Sequence, residues 1–344
     1  MNDFINFIKM KENQNIKNKI NKDYINHKEE FIITVKGLIK KKFFNMVDAH
    51  THVWIKNYTP ELNNYSILEV NNFSLILEEL TNFKMKLNGS LVDCTPYECG
   101  RDGNKLYEFS LKTGINIICV TGFHKRQYYP PNSKIWQMNL KEAQNFFLNE
   151  CLEGLQETIK SEFKVKAGVI KIPFIGNFDD AQYKILTDAA IYTSIETNIP
   201  ILVHTEQGLN IEYFTKYLES KKVNPSKVVL CHMDKRNDFN LHKELAKNGY
   251  FLEYDTFLRE KYKPEENVWQ LIQKMLNEGF EESIMIGTDI ADNVMWEKFV
   301  ANNGYFGFFN NIKNTALAKN LKLEAIDKII GKNAANFFSV NKTN

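Results

Sequence analysis

The 344 residues include 43% hydrophobic side chains, and 44 Lys and Arg nearly balance 42 Asp and Glu for a net charge of +2. That balance excludes a general affinity for nucleic acid or membrane surfaces, and no window approaches the roughly 18–20 apolar residues of a membrane span. Five cysteines without a paired pattern exclude a disulfide framework, and the charged N-terminus lacks the apolar core of a secretory signal, so a cytoplasmic protein is expected.

Residues 1–30 are polar and lysine-rich, with weak helical signals at Phe4, Phe7 and Ile8, and read as an appendage. Phe31 to Ile39 alternates like a short strand. From Met46 a theme repeats: a short apolar run, a polar loop, an amphipathic stretch. The runs are Met46–Val53, Ser90–Thr95, Ile115–Thr121, Val165–Ile172, Ile199–His204, Lys227–His232, Tyr250–Asp255 and Ile284–Asp289. Helix-like segments separate most of them. Leu140 to Phe163 is the clearest; Ala181 to Thr197, Ile211 to Ser220, Trp269 to Asn277 and Ala325 to Phe338 behave similarly. Strands alternating with helices indicate βαβ units and a parallel sheet. Eight units predict an α/β protein built as a closed (β/α)8 TIM barrel with a short N-terminal extension. Residues 1–45 are expected to form the extension and a strand packing on the barrel, and residues 46–344 the barrel itself. An open doubly wound sheet would call for a Gly-rich phosphate loop after the first strand, and none is present.

Polar residues fall where such a barrel places its active site, at the C-terminal strand ends. His50 and His52 end the first run and, with side chains alternating at period two, share a face. Lys171 ends the fourth run, His204 the fifth, His232 the sixth and Asp289 the eighth. Each alone has an ordinary explanation. A strand-end histidine is often a hydrogen-bonded core residue, and Asp289 suits a helix N-cap. Four of only seven histidines in register at one mouth point instead to a metal site. Imidazole and carboxylate ligands suit zinc, and also manganese, cobalt or iron. Lys171 is the odd member, because a lysine inside a barrel is costly. Carbamylation by carbon dioxide would make it an anionic bridge between two divalent ions.

These residues carry a resemblance to the phosphotriesterase-like branch of the amidohydrolase superfamily, over about residues 31 to 340. It includes His50-Thr-His52, Gly100-Arg-Asp102, Thr113-Gly-Ile-Asn116, Thr121-Gly122 and Tyr129-Pro130. It continues through Ile170-Lys171, His204-Thr-Glu-Gln-Gly208, His232-Met-Asp234, Asp289 and the final Ile326–Phe338 helix. The resemblance implies that His50, His52 and Asp289 hold a more buried ion and that His204 and His232 hold a more exposed one. Carbamylated Lys171 and a hydroxide would bridge the two ions. It further implies attack by that hydroxide, with Asp289 as the proton shuttle, and a homodimer. One departure stands out. The third-strand motif usually continues Thr-Gly-X-Tyr, whereas this chain has His124; Tyr97 is the expected replacement for the aromatic substrate contact.

The loops after the sixth and seventh runs are basic, with Lys235 and Arg236, then Arg259, Lys261 and Tyr262. Solvated surface charge is the plain reading. The sharper one is a rim for an anionic small-molecule substrate, since arginine grips phosphate with two prongs and lysine acts as a point charge. The expected reaction is opening of a lactone, preferably of a phosphorylated sugar acid, with Lys235, Arg259, Tyr262 and Tyr97 facing substrate. A promiscuous phosphotriesterase or another ester hydrolase is the alternative. An aldolase using Lys171 as an amine nucleophile and a silent binding barrel fit the histidines less well.

Overall fold

The structure, a computed structural model, describes residues 29–56 and 68–341; the helical signals at Phe4, Phe7 and Ile8 lie outside the described residues. The stretch read as one strand, Phe31–Ile39, is a hairpin. Strands β1 (Glu30–Thr34) and β2 (Gly37–Lys40) pair antiparallel with Thr34 opposite Gly37. The break lies at Gly37, whose φ of +101° is backbone that glycine adopts without a Cβ penalty. The Thr34 hydroxyl donates to the Gly37 carbonyl at 2.8 Å, fastening the turn.

Each of the eight apolar runs supplies one strand of a single parallel sheet. They are β3 (Val47–Thr51), β4 (Ser90–Asp93), β5 (Asn116–Gly122), β6 (Val169–Phe174), β7 (Ile201–Thr205), β8 (Val228–Cys231), β9 (Phe251–Tyr254) and β10 (Ile284–Ile286). β5, β6 and β7 run one or two residues past the apolar runs, so that Lys171 lies mid-strand on β6 rather than at its end. Neighbours in sequence are neighbours in the sheet, in unbroken order from β3 to β10. The seam between first and last is bridged at the top, where the N–H groups of Thr288 and Asp289 donate to the His50 carbonyl at 3.1 and 2.8 Å. Eight strands nearly closed in this way, with helices between them, make a (β/α)8 barrel.

The outer helices include α1 (Phe73–Leu87), α2 (Gly103–Thr113), α3 (Leu140–Leu152), α4 (Ala181–Thr197) and α5 (Ile211–Ser220). After them come α6 (Phe239–Lys247), α7 (Val268–Asn277), α8 (Asn293–Ala301) and α9 (Gly304–Ala318). Two expected helices are shorter than predicted. α3 stops at Leu152, just before Gly154 turns with φ +144°, and the chain then wraps back to deliver Glu157. The C-terminal segment divides into α10 (Leu323–Asp327), a π turn (Lys328–Lys332) and α11 (Asn333–Phe337). Gly331 in that turn packs so closely that a Cβ would sit 3.0 Å from the Met46 nitrogen.

Alternation divides the strand side chains between two cores. Ala49, Val92, Val120, Val169, Leu202 and Met285 fill the barrel interior, while Leu91, Ile117, Ile170, Val203 and Leu252 pack outward in the larger core. The interior is floored by Ile32, Phe44, Phe337 and Phe338. Ile32 comes from a three-stranded sheet in which β11 (Ser339–Asn341) pairs with β1.

One buried ion cluster ties the loop after β4 to α3. Arg101, 2% exposed, donates to both oxygens of Glu150 at 2.5 and 2.9 Å, to both of Glu157 at 2.8 Å, and to the Val120 carbonyl at 2.7 Å. Removing one partner of such a cluster strands the others, at about 3–5 kcal/mol. Arg101→Met is therefore expected to lower the urea unfolding midpoint by an amount corresponding to that loss. An unchanged midpoint would show that the cluster contributes no net stability.

Candidate metal centre

The six side chains singled out by sequence all come to the C-terminal mouth. On β3 the pairing slips: Asp48 lies opposite Leu91 and Thr51 opposite Asp93, so three steps on β3 face two on β4. This bulge lets Val47 and Ala49 face the interior while His50 and His52 do so as well; without the extra residue, strict alternation would send one pair outward. A second device acts at β8. Cys231 already faces the interior, and His232 follows it inward because its backbone is left-handed, φ +61°. Asp289 has the same conformation, φ +46°.

The four imidazoles form a continuous group. The His50 ring lies 5.8 Å from that of His52 and 4.9 Å from that of His232, and His232 lies 4.6 Å from His204. One nitrogen of each ring lies beside an oxygen. His52 Nδ1 is 2.7 Å from the Thr95 hydroxyl, and His204 Nε2 is 3.0 Å from Glu206. His50 Nδ1 is 3.3 Å from Glu253, and His232 Nδ1 lies 2.6 Å from Asp255 but outside hydrogen-bond geometry. The opposite nitrogens converge. His204 Nδ1 and His232 Nε2 face each other at 2.7 Å, and His50 Nε2 lies 3.8 Å from Asp289 Oδ1. His50, His52 and Asp289 each place a ligand atom within 4.8 Å of the other two. Oxygen contacts that fix the tautomer and leave a lone pair facing inward are what metal-binding histidines require, so the residues present fit a divalent ion.

Electrostatics agree with that fit. Burial pushes the imidazoles of His52 and His232 well below the ordinary histidine range, and His204 down to about 4 even with Glu206 beside it. Neutral rings have the lone pair a cation needs. At His50 burial also opposes the charged form, but Cys94 and then Glu253 outweigh it and raise the pKa to about 10; an incoming cation there displaces a proton. At Asp289 burial favours the neutral acid, yet Arg259 first, followed by His50 and Lys235, holds the carboxyl far below the usual carboxylate range. Lys171 is fully buried on β6 and donates to the Cys94 carbonyl at 2.7 Å. Gly122, φ +94°, passes so close to Lys171 that any Cβ would strike its backbone.

Around the rim, the half-buried Arg259 reaches into the site. Its Nη2 lies 2.8 Å from Asp289 Oδ2 and 2.6 Å from the Asp289 carbonyl. Lys235 and Lys261 place their ammonium groups 5.6 and 5.0 Å from the centre of the Tyr262 ring. Arg236 turns away to Glu212, Asp238 and the Gly208 carbonyl. Tyr97 packs on Phe146, ring centres 5.0 Å apart, and beside Arg101. The residue set against the histidines is His124, edge-on to His204 at 4.6 Å and stacked on Tyr128 at 4.7 Å. The supporting oxygens of Thr95, Glu206, Glu253 and Asp255 went unnoticed in the sequence. A signal was there: a glutamate and an aspartate at period two inside the apolar run Phe251-Leu-Glu-Tyr-Asp255, and a glutamate two residues beyond His204.

Comparison with known proteins agrees with the fold. The profile of the phosphotriesterase family matches residues 31–338. A phospho-furanose lactonase of Mycoplasmopsis synoviae (strain 53) is 29% identical over 280 residues, 78% of each chain. An N-acetyltaurine hydrolase of Xenopus tropicalis is 27% identical over 294 residues, 81% of each chain. Among solved structures, a lactonase from Listeria monocytogenes superposes with a TM-score of 0.81 at 23% identity, covering 91% of this chain and 100% of that one.

Proposed function

Since the chain belongs to the phosphotriesterase family, we propose that it is a metal-dependent lactonase acting on a phosphorylated sugar-acid lactone. His50, His52 and Asp289 would hold the more buried ion and His204 and His232 the more exposed one, with Lys171, carbamylated by carbon dioxide, bridging both. Zinc is the favoured metal, with manganese, cobalt or iron as substitutes. A cytoplasmic homodimer belongs to the same proposal. When bound, the ions supply a nucleophile at neutral pH and a Lewis acid for the lactone carbonyl.

The chain's own groups do the rest. Asp289 accepts the nucleophile's proton and returns it to the ring oxygen as the ester bond breaks, yielding the open hydroxy acid. Arg259, paired with Asp289 Oδ2, keeps that carboxylate charged and oriented. His50, His52 and His232 are buried, which sharpens the charge interactions around them.

The observation that carries the substrate assignment is the cationic rim. Arg259 reaches Asp289 itself, Lys261 flanks Tyr262 on the same loop, and Lys235 approaches Tyr262 from the adjoining one. The guanidinium offers five donors in a fork, more than Asp289 and the Asp255 carbonyl take. A phosphate at the far end of a small lactone fits such a rim; neutral organophosphates and fatty-acyl lactones gain nothing from it. The name of the Mycoplasmopsis synoviae relative, phospho-furanose lactonase, supports the same assignment.

Two measurements test this reading. Metal-replete protein is expected to bind two divalent ions per chain, and Lys171→Ala to lose them, with short carboxylates restoring part of the loss. An active protein with one ion per chain would refute the binuclear assignment. In the second, hydrogen bonds to charged groups are worth roughly 1.5–3 kcal/mol each. Arg259→Ala should therefore lower kcat/KM for a phosphorylated furanose lactone by about one to two decades. The plain lactone should lose less than the phosphorylated one. Equal losses on both, or preferred turnover of N-acetyltaurine or of a neutral phosphotriester, would overturn the substrate assignment.

A further inference from the structure

Glu253 stands where a carboxylate is least expected. On β9 it points inward one step below Asp255, beside Met285 in register on β10, and it is completely buried. Both of its oxygens lie 3.3 Å from His50 Nδ1, and Oε2 is hydrogen-bonded to it. Among the described residues no nitrogen or oxygen donor meets Oε1 in hydrogen-bond geometry. The fold makes room for the group at Gly287: a Cβ there would lie 2.6 Å from Glu253 Oε1 and 2.8 Å from the His50 Cβ.

A charge held this way does not support the fold by itself. Desolvating a carboxylate is expensive, and a buried ion pair with unsatisfied oxygens is commonly no better than apolar side chains of the same volume. His50, Cys231 and Glu253 also bring ligand atoms within 4.8 Å of one another, but the His50 nitrogen on that side is the one hydrogen-bonded to Glu253. The arrangement makes sense through His50. Its Nδ1 faces Glu253, while its Nε2 faces Asp289 in the cluster with His52. The imidazole stands between a carboxylate and the place where a cation would bind.

We propose that Glu253 is a positioning residue for the more buried metal ion. It holds the proton on His50 Nδ1, fixes the plane of the ring and sets a negative charge directly behind the ligand, raising the basicity of Nε2. The inference rests on the metal reading above and adds a residue that takes no part in direct ligation. The fold bears a cost that the ion offsets.

This role has a signature that a merely structural one lacks: metal affinity falls out of proportion to any change in metal-free stability. Two variants of the full chain separate charge from shape. Glu253→Gln keeps size and an acceptor but removes the charge; Glu253→Met removes both. Zinc affinity would be read by competition with a chromophoric chelator, and thermal unfolding would be followed on the metal-free proteins. The tighter zinc-binding step is expected to weaken about 10–100-fold in Glu253→Gln and further in Glu253→Met. The metal-free variants should unfold close to the wild-type temperature, and Glu253→Gln, which keeps an acceptor for His50 Nδ1, closest of all. Unchanged zinc affinity in both variants overturns the proposal, and so does a fall in metal-free stability that parallels the loss of affinity. Wild-type protein that binds no zinc would overturn the metal reading itself, and this role with it.

Discussion

The carbonyl oxygen of His50 accepts two backbone N–H groups across the barrel seam, from Thr288 and from Asp289, and the site is organised from that point. The same contact completes the cylinder and brings residues from its first and last strands together. Asp48 reinforces it from the outer side. Its carboxylate accepts from the Thr288 amide and hydroxyl at 3.0 and 2.7 Å, from the Tyr305 hydroxyl at 3.0 Å and from the His50 amide at 3.3 Å. Burial raises the Asp48 pKa to about 7 despite those donors. A carboxyl group surrounded in this way is a rigid clasp, and its placement explains why β10 can end at Ile286 and still leave the barrel nearly closed.

From the seam outward, the site is built in two layers. The inner layer consists of ring nitrogens and carboxylate oxygens that converge; the outer layer consists of the oxygens that orient them. The outer layer is not uniform. His52 leans on a neutral hydroxyl, whereas His50, His204 and His232 lean on carboxylates. Glu206 is itself pinned by Lys125 at 2.5 Å, and His204 followed by Lys125 lowers its pKa to about 2. Charge thus passes from the exposed rim through Glu206 to the ring of His204, while on the opposite side it ends in the closed interior at Glu253.

What the sequence revealed and what it concealed follow from range. The eight strands were legible because each is a local apolar run, and the six convergent residues were legible because they are polar residues in or at the end of those runs, Lys171 lying three residues before the end of β6. α4 and α5 match the expected Ala181–Thr197 and Ile211–Ser220. The bulge on β3 was not legible, since it is a relation between Asp48 and Leu91 rather than a property of either. The left-handed turns at His232 and Asp289 were equally hidden, because neither residue type demands that conformation. The partners of the histidines lie 43 positions from His52 at Thr95 and 203 from His50 at Glu253. Tyr97 was expected at the aromatic contact because its residue type fits, yet its ring packs on Phe146, and His124 stands beside His204 instead.

The floor of the barrel has a consequence for how the chain acquires its shape. β1 is sandwiched between β2 and β11, and Ser339 Oγ donates to Glu30 at a separation of 309 positions. Contacts of such long range pay the full entropy of loop closure before they return anything. During synthesis the hairpin can form early, but one edge of β1 stays open until residues 339–341 have left the ribosome. An open edge is a template for pairing with other strands. β11 therefore closes this sheet in time as well as in space, and until it docks the nascent barrel carries a sticky border.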